Sequence, residues 1–404
     1  MHLLFVCIDV KLLYLCGEKI KNKKMPHLEQ HLQNILDKKK AAHHYRTLRW
    51  NEEQQIDFCS NDYLGMSASA ELQGRIAANL STLPAVGSTG SRLLRGNYPL
   101  IEETEQLIAR FHKAESALIF NSGYDANVGL FQTVARRGDT ILFDEFSHAS
   151  TRDGIRLSHA QAQSFVHNNI DDLENLLQTN TTGNVFIAVE AIYSMDGDHA
   201  LLYDIAYLAQ KYGAYLIVDE AHSTGIAGKN GEGVCASLGL EKQVFARIHT
   251  FGKAMGVHGA AILGTEVLRN YLINFCRSFI YTTAMPLHTA LAIKHAYTLL
   301  QQHNMQAQIV QLRENIALFN VLIKQHLPTA HFLRSYSPIQ AWILGNNEQA
   351  RLAAQHLQTN GYDVRAILSP TVAVGTERCR ICLHSFNTET DILGLVQAMS
   401  RWQL

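Results

Sequence analysis

The sequence predicts an α/β protein, with a large domain built on a mostly parallel central sheet and a smaller C-terminal α+β domain. Two observations carry this. Six apolar runs of strand length, at 117–120, 140–143, 185–189, 214–218, 244–248 and 260–263, alternate with longer stretches of helical period such as 100–112 and 171–178. Strands that are apolar almost throughout are those buried on both faces, which is how parallel sheets with helical crossovers are built. After Met285 the pattern changes. Two long helical patterns, 288–303 and 306–326, are followed by a shorter mixture at 338–344, 350–360 and 380–384.

Taken in order, the chain opens with an apolar run, 3–16, interrupted by Asp9 and Lys11. It is too short to span a bilayer and lacks the basic flank and small-residue cleavage site of a secretory signal. Residues 1–24 are expected to be an extension outside the fold, and 25–65 an N-terminal segment with a helix from about 35 to 45 and a short strand and turn at 56–65. The large domain is expected over 66–285 and the small one over 286–404. No internal repeat or low-complexity linker divides them.

Composition narrows the functional classes. With 47% apolar and 18% charged residues, the chain has material for a large core and is not a disordered protein. Its 35 basic and 36 acidic residues leave a net charge of −1, without the basic excess expected of a nucleic-acid binder. Of the seven cysteines only Cys379 and Cys382 are closely spaced, and on a strand residues three apart face opposite sides. Reduced, mostly buried thiols with no metal site, in a cytoplasmic protein, are expected.

The polar residues of interest stand at the carboxyl ends of successive strands, where open parallel sheets bind their ligands. Asn121-Ser-Gly-Tyr-Asp-Ala-Asn127 follows the first run and leads into a helix whose first N–H groups suit a phosphate. Asp144-Glu-Phe-Ser-His-Ala149 follows the second. Glu190 and Ser194-Met-Asp-Gly-Asp198 follow the third, Asp219-Glu-Ala-His222 the fourth, and Thr250-Phe-Gly-Lys253 the fifth. Singly, each reads equally well as an ordinary loop start: Asp219 as a helix N-cap, Lys253 as a surface lysine. Together they supply an amine, a carboxylate, imidazoles and a phosphate cradle, the parts that pyridoxal 5'-phosphate (PLP) requires. Lys253 has little bulk beside it, and burial there lowers an amine's pKa. Asp219, at the end of an apolar strand, needs a cationic partner, which a pyridinium provides.

These residues, with Ser60-Asn-Asp-Tyr-Leu-Gly65, Gly87-Ser-Thr-Gly-Ser-Arg-Leu-Leu-Arg-Gly96, Ser147-His-Ala-Ser150, Val218-Asp-Glu-Ala-His-Ser-Thr-Gly225 and Tyr281-Thr-Thr-Ala-Met-Pro286, resemble the α-oxoamine synthases, fold-type I PLP enzymes, over about residues 36 to 395. The resemblance implies a PLP-dependent acyltransferase that condenses an amino acid with an acyl thioester on CoA or a carrier protein, releasing thiol and carbon dioxide. It implies that Lys253 holds the cofactor and moves the α-proton, that Asp219 pairs with the ring nitrogen, and that His222 and Ser194 lie near the ring hydroxyl. His148 would stack on the ring and face the substrate. Gly123, Tyr124 and Thr250 would hold the phosphate, joined by Thr282 and Thr283 from the second subunit of a homodimer. Arg380 would grip the amino acid's carboxylate, a bidentate task suited to a guanidinium, while Arg378 is expected on the opposite strand face.

Within the family, Arg46 and Thr371 match substrate contacts of the branch that joins alanine to a pimeloyl thioester. The run Leu368-Ser-Pro-Thr-Val-Ala373 departs from that branch, which often begins it with arginine. Leu368 cannot pair with a distal carboxylate, and Arg95 is an unusual cation elsewhere in the chain. Related enzymes join glycine to acetyl-CoA or succinyl-CoA, or serine to palmitoyl-CoA. A non-catalytic partner subunit of the same fold would lack the lysine, and an aminotransferase would share the fold but not the motif set.

Overall fold

In this computed structural model the described residues are 26–41, 45–48, 55–180 and 182–402. The expected extension, 1–24, lies outside them. The chain divides into two units, residues 1–53 and 54–404. In the first, a helix runs over Pro26–Ala41, with acidic Glu29 in its first turn and Lys38, Lys39 and Lys40 in its last, the arrangement that the helix dipole favours.

Among the described residues, the second unit carries three sheets. Its strands are β1 (Ile56–Asp57), β2 (Ser116–Phe120), β3 (Thr140–Asp144), β4 (Gln161–Phe165), β5 (Val185–Glu190), β6 (Tyr215–Asp219), β7 (Ala246–Thr250), β8 (Ala260–Gly264), β9 (Ile339–Ile343), β10 (Tyr362–Asp363), β11 (Arg365–Ile367) and β12 (Arg378–Cys382). The seven-stranded sheet has the order β2-β8-β7-β6-β5-β3-β4. Its pairs from β7 to β4 are parallel, whereas β8 runs antiparallel to both neighbours. The mostly parallel α/β expectation therefore holds.

Alternation along the strands explains why they read as unbroken apolar runs. Phe186, Ala188 and Ile217 face one core, with Ala126, Leu130 and Phe131 of the helix Gly123–Val134. Ile187, Val189, Leu216 and Val218 face another, with the helices Ile170–Thr179 and Leu202–Tyr212. Both sheet faces are covered, so neither face of a strand is polar. β4 was not expected: its sequence, QAQSF, is mostly polar because it is an edge strand with only Phe165 buried.

The C-terminal residues form the antiparallel sheet β11-β12-β9. β12 lies in the middle and is buried at every position. Helices Asn347–Thr359 and Glu389–Ser400 pack on it, the latter started by a capping box from Thr388 and Asp391. The expectation for Arg378 is corrected here. Residues two apart on a strand share a face, and Arg378 and Arg380 both reach the turn at 194–196: Arg378 Nη1 donates to Asp196 Oδ1 at 2.5 Å, and Arg380 Nε to the Ser194 carbonyl at 2.7 Å. Cys379 and Cys382, three apart, diverge as expected. The first thiol contacts the Ala350 carbonyl and the second Arg380.

Candidate active site

The carboxyl ends of β2, β3, β5, β6 and β7 open on one cavity of about 270 Å³, lined among others by Gly123, Tyr124, His148, Ser194, Asp219, His222, Thr250 and Lys253. Each side chain arrives for a local reason. Asp219 ends β6 on the face shared with Ile217, beneath the helix Gly123–Val134. Thr250 ends β7 in the same way. His148 accepts from the Ser150 N–H as the N-cap of the helix Ala149–Leu157, and Ser122 caps the helix Gly123–Val134.

That second helix start is a cradle. Its first internal bond runs from Ala126 N to the Ser122 carbonyl, so the N–H groups of Gly123 and Tyr124 are left for a ligand. A β-carbon at Gly123 would lie 2.4 Å from Thr250 Cγ2, so only glycine lets the two elements meet. The Thr250 hydroxyl is buried without a partner, a donor awaiting an acceptor.

Deeper in, Asp219 is buried and held on both oxygens, by Asn127 Nδ2 at 2.8 Å and the Ala221 N–H at 2.9 Å. In register beside it on β5 stands Glu190, which accepts from the His148 N–H at 2.7 Å. Burial, then the Asp219 charge, push the Glu190 carboxyl up to about 8. Burial pushes the Lys253 amine down to about 8 against the pull of Asp219 and Glu190. It also lowers His148, and holds His222 well below its usual range, with Lys253 and Arg380 adding to the effect. His222 is therefore a neutral imidazole near pH 7. Tyr63 donates to Asn61 Oδ1 at 3.1 Å and lies 2.7 Å from His222 Nδ1. That contact fixes the imidazole's orientation in the cavity wall.

Arg380 is fixed by three contacts: Nε to the Ser194 carbonyl, Nη2 to Asn61 Oδ1 at 2.9 Å, and Nη1 to Cys382 Sγ at 2.8 Å. A guanidinium has five N–H bonds. The Tyr63 hydroxyl takes part as well, and the planar set of donors is the kind that suits a carboxylate.

Other expected residues lie elsewhere. Thr282 and Thr283 lie against the Asn121 turn, whose Nδ2 donates to Thr282 Oγ1 and the Thr283 carbonyl. Thr371 sits in an exposed turn, its N–H bonded to the Leu368 carbonyl, and Leu368 packs half-buried against the core. Arg95 is exposed. Arg46 is an exposed residue of the N-terminal unit. Asn127, Glu190, Asn61 and Tyr63 are functional neighbours to which the sequence reading assigned no role. Their position within the quoted motifs was the available signal.

A buried carboxylate facing the cavity, an amine of lowered pKa, an unpartnered hydroxyl and a glycine-gated helix start fit PLP. The fold and this pocket define a fold-type I PLP-dependent enzyme, and the comparisons with known proteins agree. The aminotransferase class I and II family model matches residues 53–398. An 8-amino-7-oxononanoate synthase of Emericella nidulans is 42% identical over 371 residues, 86% of this chain and 89% of that protein. Among solved structures, serine palmitoyltransferase from S. paucimobilis superposes with a TM-score of 0.84 at 25% identity, covering 94% of this chain and 98% of that one. The 8-amino-7-oxononanoate synthase of Francisella tularensis gives 0.75 at 30% identity, covering 87% and 98%. The chain belongs to the α-oxoamine synthase family: it is a PLP-dependent acyltransferase.

Proposed function

We infer that the chain condenses L-alanine with a pimeloyl thioester, on CoA or a carrier protein, to give 8-amino-7-oxononanoate, free thiol and carbon dioxide, a step of biotin synthesis. The observation that carries the amino-acid half is Arg380, a buried guanidinium whose Nε is tied to the carbonyl of Ser194, a residue that lines the Lys253 cavity. The acyl half rests on the relatives named for that reaction.

PLP supplies an electron sink for the pair left at the α-carbon. Lys253 Nζ, with its pKa lowered to about 8, anchors the cofactor and carries the α-proton near neutral pH. Asp219, held by Asn127, would pair with the pyridine nitrogen and keep it protonated. His222 and Ser194 would serve the ring hydroxyl, and His148 would stack on the ring and face the substrate. Gly123, Tyr124 and Thr250 would hold the phosphate, with Thr282 and Thr283 of the second subunit of a homodimer. Arg46 and Thr371 are each assigned to the acyl substrate by the resemblance. The large domain spans 66–285 and the small one 286–404, and the enzyme works in the cytoplasm.

One observation favours a second reading, glycine with acetyl-CoA: Leu368 offers no cation to a distal carboxylate. Thiol release by the purified, PLP-loaded protein separates the two. Release with pimeloyl-CoA that depends on L-alanine and falls by about 10²–10⁴-fold in Lys253→Ala supports the reading. Release only with glycine and acetyl-CoA overturns the substrate assignment.

A further inference from the structure

Outside the cavity, one side chain is held by both walls that shape it. His167 follows the edge strand β4. Its Nδ1 lies 2.9 Å from Asp144 Oδ1 and 3.0 Å from Oδ2, and its Nε2 lies 2.8 Å from Asp198 Oδ2. Both ring nitrogens thus face carboxylate oxygens. A neutral imidazole has one N–H and would turn a lone pair on one carboxylate, whereas an imidazolium donates to both. Phe146 stacks on the ring at 4.3 Å between centroids, a π-face suited to a cation, and Tyr193 packs T-shaped to it at 4.4 Å. The next residue, Asn168, repeats the bridge: its N–H donates to Asp144 Oδ2 at 3.1 Å, and its Nδ2 to Asp198 Oδ2 at 2.9 Å.

The two carboxylates belong to different parts of the site. Asp144 ends β3 and, through its bond from the Phe146 N–H at 2.8 Å, shapes the loop that delivers His148. Asp198 closes the turn that begins at Ser194, and that turn also holds Asp196 against Arg378 and the Ser194 carbonyl against Arg380. His167 does not line the cavity.

We propose that His167 is a positioning residue: as an imidazolium between Asp144 and Asp198 it pins the His148 loop to the Ser194 turn, and so sets the ring-stacking and amino-acid walls of the cofactor pocket. The proposal rests on the roles given above to His148, Ser194 and Arg380, but not on the identity of the acyl substrate. Burial opposes the charge, yet the hydrogen bonds and charges of Asp144 and Asp198 raise the His167 pKa to about 10. The titratable groups facing it are those two carboxylates, the Tyr193 hydroxyl, Glu145, whose Oε1 accepts from the His167 N–H at 3.0 Å, and Asp196, which feels its charge.

The test uses PLP titration of the full chain, the visible circular dichroism of the bound cofactor, and nitrogen NMR of the histidine rings. His167→Gln is expected to weaken PLP by about 10–100-fold, by analogy with the removal of an outer partner of a metal ligand, and to shrink the cofactor's dichroic band at unchanged far-ultraviolet signal. Asp198→Asn keeps an acceptor and removes only the charge, so it serves if His167→Gln does not fold. It is expected to lower the pH at which the His167 ring loses its proton, and to weaken PLP less. Affinity and dichroism within twofold of wild type in the folded variants, or a wild-type His167 ring that is neutral at pH 7.5, would overturn the proposal. If the wild type binds PLP but releases no thiol from any pimeloyl thioester, the substrate reading fails while these readouts still decide the role of His167.

Discussion

Arg380 shows how a single side chain can be fixed and available at once. Bonds to Ser194, Asn61, Cys382 and Tyr63 hold it, so the guanidinium has little rotamer freedom to lose when the amino acid binds. Arg380→Lys keeps the charge and loses the fork. A hydrogen bond to a charged group contributes about 1.5–3 kcal/mol, so the KM for the amino acid is expected to rise about 10–100-fold with a smaller change in kcat. Steady-state kinetics with the amino acid varied checks this, and an unchanged KM would contradict the assignment. The sequence had marked Arg380 through its motif, but misjudged the face of Arg378 by overlooking the period of two. It did not reach the bonds of Asn127 to Asp219, Tyr63 to His222, or His167 to its two carboxylates. Those partners are from 23 to 159 positions apart, and nothing local in a chain encodes such pairs.

Among the elements, the meeting of the helix Gly123–Val134 with the end of β7 is a tight constraint on the site. Gly123→Ala puts a methyl 2.4 Å from Thr250 Cγ2, so the helix start or the strand end must move. Overpacking of this kind costs typically ~1–3 kcal/mol, and here it also opens the phosphate cradle. A drop of at least tenfold in PLP affinity, read by titration, is expected, with a lowered melting temperature. The strands themselves were legible because both faces are apolar. β4 was not, since it shows only Phe165 to the core, whereas β2 at the other edge is buried throughout.

For the molecule as a whole, the buried ionisable groups set how stability of the cofactor-free protein depends on pH. His167 is raised from 6.5 to about 10, so the stability that it contributes is complete below 6.5 and is lost as pH rises toward 10. Glu190 is raised from 4.5 to about 8, so the folded state binds the extra proton and loses stability between those values. Lys253, lowered from 10.5 to about 8, acts oppositely: stability rises from about 8 to 10.5 as the unfolded chain gives up its proton. Between pH 6.5 and 8 the first two act together, and the melting temperature is expected to fall. Glu190→Gln, which keeps an acceptor for the His148 N–H, is expected to flatten that fall and to melt higher than wild type at pH 8.5. A steeper fall in the variant would contradict the burial argument.

The central claim, that five strand ends assemble a PLP pocket anchored on Lys253, is tested most directly by reducing the PLP-loaded protein with borohydride and locating the label by peptide mass spectrometry. One phosphopyridoxyl group, on the peptide containing Lys253, is the predicted result. A label on another lysine, or none despite bound cofactor, would contradict it.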